Sequence, residues 1–118
     1  MTAQGSALTR YRRALERRHI FGAELAAKEM GFLPLRDALG LLALYAAEDS
    51  PKYGKGATRW LGRLVLESDD LSLDDLQLAA ASLQALPRRP DSAIRVLTDL
   101  SRHPAPSDSG TPAAHAGR

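Results

Sequence analysis

Lys52, Lys55, Arg59 and Arg63 follow one another at steps of three and four residues, with no acidic residue between Ser50 and Leu66. That spacing lines four cations along one stripe of a helix, where their summed field attracts phosphate or an acidic helix. Arg10, Arg12, Arg13, Arg17 and Arg18 form a second, denser group, with Arg10, Arg13 and Arg17 on a common stripe. If the two helices lie side by side, the stripes merge into a basic surface for nucleic acid. The plainer reading of each stripe is a solvated helix face that pairs with the acids of neighbouring helices.

Aromatic residues flank the first stripe. Trp60 is the one tryptophan, and it shares an apolar face with Tyr53, Ala57, Leu61 and Leu64, so it reads either as core or as an anchor for a partner. Tyr53 and Tyr45 invite the same two readings, with hydroxyls that need water or a partner. Tyr53, Arg59, Trp60 and Arg63 are therefore the candidate contacts for a peptide or helix docked in the groove beside the fourth helix. Lys52, Lys55, Arg10, Arg13 and Arg17 are the candidate anion contacts.

Catalytic constellations do not emerge from the residue pattern. His19, His103 and His115 are scattered, so no metal site is expected, and the absence of cysteine excludes thiolate ligands, disulfides and a thiol nucleophile. Glu24 and Glu29 on the second helix and Asp37 on the third could converge as carboxylates, but the plainer reading is ordinary residues of solvated helix faces. No Gly-rich phosphate loop, Gly-x-Ser-x-Gly or His-Glu-x-x-His occurs, and the helix-turn-helix spacing is also missing. The expectation is a non-enzymatic protein without a cofactor.

The elements that position these residues are helical. Leu8, Tyr11 and Leu15 mark a first helix over 8–18, polar and thinly anchored. A second spans Ile20 to Met30, where Phe21, Leu25 and Met30 alternate with Gly22, Ala23, Ala26 and Ala27, small residues that admit a neighbouring helix; Gly31 stops it. Pro34 opens an apolar third helix with Asp37 in its first turn, ending near Asp49. Ser50-Pro51 starts a fourth, through Glu67, in which Gly54, Gly56 and Gly62 mark close backbone contact or a frayed turn. Ser72 with Asp75 forms a capping box for a fifth, through Leu73, Leu76, Leu78, Ala79, Leu83 and Leu86, ended by Pro87. A sixth starts at Asp91 or Ser92 and stops before Pro104.

A faint internal repeat organises these helices. Leu33–Leu39 returns as Leu71–Gln77 at an offset of 38, and Ala57–Leu61 returns as Ala93–Leu97 at an offset of 36. Such a period belongs to stacked two-helix units, which bury apolar faces against neighbours and offer grooves to partners. Net charge also alternates: +4 over 1–20, −3 over 21–49, +4 over 50–66, −5 over 67–87 and +2 over 88–118. Aromatic residues make up only 5% of the 118-residue chain, so leucine and alanine must fill the interior, which suits closely packed helices. The longest apolar run, Ala38–Ala47, falls well short of the ~20 residues that span a bilayer.

The segments Ala14–Arg18, Ala23–Gly31, Leu35–Leu39 and Arg59–Leu61 together resemble small helical proteins of unknown function common in high-GC actinomycetes. The resemblance covers about residues 8–100 and implies an all-helical fold in a bacterial cytoplasm, with no functional residue to carry over.

The sequence thus predicts an all-α domain over 8–102, with residues 1–7 and 103–118 disordered. It holds five or six helices in consecutive antiparallel hairpins, a short repeat-like stack, with a compact irregular bundle as the alternative. The expected function is that of a cytoplasmic adaptor binding another protein or peptide, with homodimerisation through an apolar end helix possible; a nucleic-acid accessory protein is the alternative.

Overall fold

The computed structural model describes residues 3–102, with side chains from Ala7 onward. They form six helices and no strand: α1 (Ala3–Glu16), α2 (Ile20–Met30), α3 (Leu35–Ala47), α4 (Tyr53–Glu67), α5 (Leu73–Ala85) and α6 (Pro90–Ser101). The fold is all-α. Helix α1 begins five residues ahead of the expected Leu8, within the stretch expected to be disordered, while the tail expected to be disordered from residue 103 lies outside the described residues. The chain divides into two compact units, residues 1–60 and 61–118.

In the first unit, α1 and α2 form the most extensive helix pair. Their contact is made by Tyr11 and Ala14 on α1 with Ala23 and Ala26 on α2, all buried. Small side chains let the backbones approach, and Tyr11, with no exposed surface, fills the space left over. The Tyr11 hydroxyl donates to the Asp37 carbonyl at 2.6 Å, tying α1 to α3. Helix α1 is therefore a central element of this unit, against the expectation of a thinly anchored one. Its arginine-rich sequence hides the single tyrosine that anchors it.

Two loops close with the same backbone device. Arg18 and Asp49 take left-handed conformations, φ 58° and 55°. His19 N–H donates to the Ala14 carbonyl and Ser50 N–H to the Tyr45 carbonyl, both at 2.8 Å, while Arg18 and Asp49 N–H groups reach the carbonyls of Leu15 and Ala46. These are Schellman closures with non-glycine residues at the left-handed position. Ser50 Oγ accepts from Lys52 N–H at 3.1 Å, so Ser50 and Pro51 make a turn, and α4 starts at Tyr53. The first half of α4 lies on α3: a Cβ at Gly56 would sit 2.9 Å from Leu42 Cδ2.

In the second unit α5 packs on α6. The Ser72–Asp75 capping box is complete, with Asp75 N–H donating to Ser72 Oγ at 3.0 Å and Ser72 N–H to Asp75 Oδ2 at 3.2 Å. Ala79, Leu83 and Leu86 are buried, as are Ala93, Leu97 and Leu100. Leu73 and Leu78 are exposed instead. Helices α3 and α5 are each 13 residues long and start 38 residues apart, the offset of the sequence repeat.

Candidate functional site

The fourth-helix candidates are largely occupied from within. Trp60 is 2% exposed, and its indole N–H donates to the Leu35 carbonyl at 2.9 Å. It is a core residue, out of reach of a partner. Arg63 is half-buried and pairs with Glu67 one turn later, Nε to Oε2 2.8 Å. Tyr53 is half-buried, and burial pushes its hydroxyl up to about 12. Lys52 lies in the turn before α4, with its Nζ 2.7 Å from Glu24 Oε2. The same carboxylate accepts from the Tyr45 hydroxyl at 2.5 Å. Both bonds hold Glu24 below the usual carboxylate range, Lys52 foremost, while burial and then the hydrogen bond to Glu24 push Tyr45 up. Only Lys55 and Arg59 remain of the original surface as exposed cations with no ion pair among the described residues.

The arginine group divides in the same way. Arg10 binds Glu29 at 2.6 Å, Arg12 approaches Asp37 at 3.6 Å, and Arg18 binds Glu48 at 2.7 Å. The Arg10 guanidinium holds the Glu29 carboxyl below its ordinary value. The positive block over 1–20 is thus tied to the negative block over 21–49, and Lys52 adds a tie from the third block. Arg13 and Arg17 are exposed and make no ion pair among the described residues.

These two arginines border a cleft of about 330 Å³ between α1 and α2, lined also by Arg10, Ala14, His19, Gly22, Leu25 and Ala26. Its floor is made of small residues because α1 and α2 need them to meet, and a Cβ at Gly22 would push the exposed His19 imidazole aside. Leu25 is 54% exposed at its edge, and Phe21, one turn earlier on the same face, is 66% exposed. An apolar strip with arginines at its side is thereby presented on one helix pair. Of the sequence candidates, the structure gathers Arg10, Arg13 and Arg17 here and leaves Lys55, Arg59 and Tyr53 elsewhere.

Sequence reasoning named Phe21 and Leu25 only as apolar positions of α2 and His19 only as a scattered histidine, and made none of them a candidate contact. The available signal was the segregation of α2 itself: Ala23 and Ala26 fall on one face, Phe21 and Leu25 on another. A second cleft, of about 280 Å³, lies between α5 and α6 over Ala81, Ser82, Ala85 and Ser92, with Arg89 as its one charged residue. Among the described residues no three His, Cys, Asp or Glu side chains converge as a metal site. No described helix is long and apolar enough to cross a membrane. No protein family matches the chain, and no curated protein or solved structure matches it either.

Proposed function

We propose that the chain is a non-enzymatic protein-interaction module of the cell interior, whose binding surface is the α1–α2 face rather than the groove beside α4. The observation that carries this reading is the exposed strip of Phe21 and Leu25 beside Arg13 and Arg17, cations that nothing described neutralises. Exposed apolar side chains beside unpaired charge are the composition of a docking site, since the first supplies energy on burial and the second selects the partner. A nucleic-acid surface draws less support, because Arg10, Arg12, Arg18, Lys52 and Arg63 are already paired with acids.

The test is a peptide-display selection on the immobilised full chain, with an Arg13→Glu/Arg17→Glu variant as counter-target. Peptides that bind the wild type and weaken about tenfold or more on the variant are expected, from the ~1.4 kcal/mol that a tenfold change represents. Failure to enrich any peptide, or equal binding to both proteins, refutes the reading. Binding of random-sequence DNA or RNA that falls steeply with salt would transfer it to nucleic acid.

A further inference from the structure

Two surfaces among the described residues expose apolar and charged side chains together, and their charges are of opposite sign. The α1–α2 face offers Phe21 and Leu25 with Arg13 and Arg17. In the second unit, Leu66 at the end of α4 is 86% exposed and Leu73 at the start of α5 is 73% exposed, the highest values among the large apolar residues. Between and beside them stand Asp69, Asp70 and Asp74, all exposed and in no ion pair among the described residues. Glu67 and Asp75 of the same acidic block are already used, in the pair with Arg63 and in the capping box.

We infer that the occupant of the α1–α2 face is a second copy of this chain, which presents its acidic Leu66–Asp74 edge to the cleft of the first. The inference rests on the α1–α2 face being a protein-binding surface. Charge selects the pairing: basic face against basic face, or acidic edge against acidic edge, is repelled, whereas basic face against acidic edge is attracted. The leucines and Phe21 supply the apolar area that such a contact removes from water. Each copy carries one face and one edge, so reciprocal contacts close a dimer and single contacts extend an open chain.

The experiment is sedimentation velocity on the full chain over a concentration series, at low and at high salt. The variants are Arg13→Glu/Arg17→Glu, Asp69→Lys/Asp70→Lys and, as an uncharged control on the edge, Leu73→Ser. Circular dichroism checks the helicity of each. The wild type is expected to self-associate, more weakly at high salt because exposed charges are screened. Each charge-reversal variant alone and Leu73→Ser should associate about tenfold or more weakly. An equimolar mixture of the two charge-reversal variants should recover a complex, since it restores one wild-type face opposite one wild-type edge. A wild type that stays monomeric throughout overturns the inference, as does association that survives in both charge-reversal variants. A monomeric chain that still binds selected peptides through Arg13 and Arg17 overturns the second copy alone and leaves the protein-binding surface standing.

Discussion

Glu24 and Trp60 show at the residue scale how polar groups fix the first unit. Glu24 receives both the Lys52 ammonium and the Tyr45 hydroxyl, and its folded-state pKa lies below the ordinary glutamate value. A carboxyl depressed in this way stabilises the fold above its unfolded value of ~4.3, and the contribution is lost as pH falls through the folded value. Glu24→Gln should therefore cost about 1 kcal/mol at neutral pH, discounted for the exposure of Lys52, and flatten the loss of stability on acidification. Urea midpoints at neutral and acid pH read this directly; equal acid sensitivity in both proteins would contradict it. Trp60→Phe keeps most of the packing but leaves the Leu35 carbonyl without its indole donor, a loss of about 1–3 kcal/mol. Unchanged stability in urea would mean that the indole–Leu35 hydrogen bond adds nothing to the fold.

At the scale of elements, the glycines of α4 separate packing from propensity. Gly56 faces Leu42 and Tyr45 on α3, whereas a Cβ at Gly62 meets nothing within 4 Å. Gly62→Ala should stabilise by about 0.5–1 kcal/mol through helix propensity alone. Gly56→Ala must displace buried Leu42 to gain the same amount, so its melting temperature should fall below that of Gly62→Ala; equal gains would contradict the contact. Much at this scale was legible in the sequence. The bounds of α2 follow from its apolar spacing and Gly31, those of α5 from Ser72 and Asp75, and the 38-residue repeat reappears as the common length and spacing of α3 and α5. The start of α4 was misplaced because Ser50 and Pro51 look alike as a cap and as a turn. The two Schellman closures left no signature, since Arg18 and Asp49 stand where glycine usually announces such a bend. Trp60 and Val96, aligned by the repeat, differ in burial: the second phase of the pattern slips, and Leu97 takes the fully buried place.

For the whole molecule, the net charge of +2 conceals charges of which some are spent in ion pairs within the fold and the rest are left over. Arg10, Arg12, Arg18 and Lys52 are held by Glu29, Asp37, Glu48 and Glu24. Periodicity put seven cations on two stripes, Arg10, Arg13 and Arg17 on one and Lys52, Lys55, Arg59 and Arg63 on the other, but carried no information about which would find an acid, because that depends mostly on helices distant in sequence. The site was half legible for this reason: Arg10, Arg13 and Arg17 were named, while Phe21 and Leu25 were noted only as apolar positions of α2. Arg13 and Arg17, beside exposed apolar residues, are among the charges left over, and the proposed partner surface is theirs. The most direct test compares the affinity of a display-selected peptide for Leu25→Asp and for Lys55→Glu/Arg59→Glu, with the stability of each variant measured in urea. Burial of a leucine contributes about 1.5–3 kcal/mol, so Leu25→Asp should weaken binding about tenfold to a hundredfold while the α4 variant binds as the wild type does. Loss of binding in the α4 variant, with Leu25→Asp unaffected, would contradict the account and return the site to the groove beside α4.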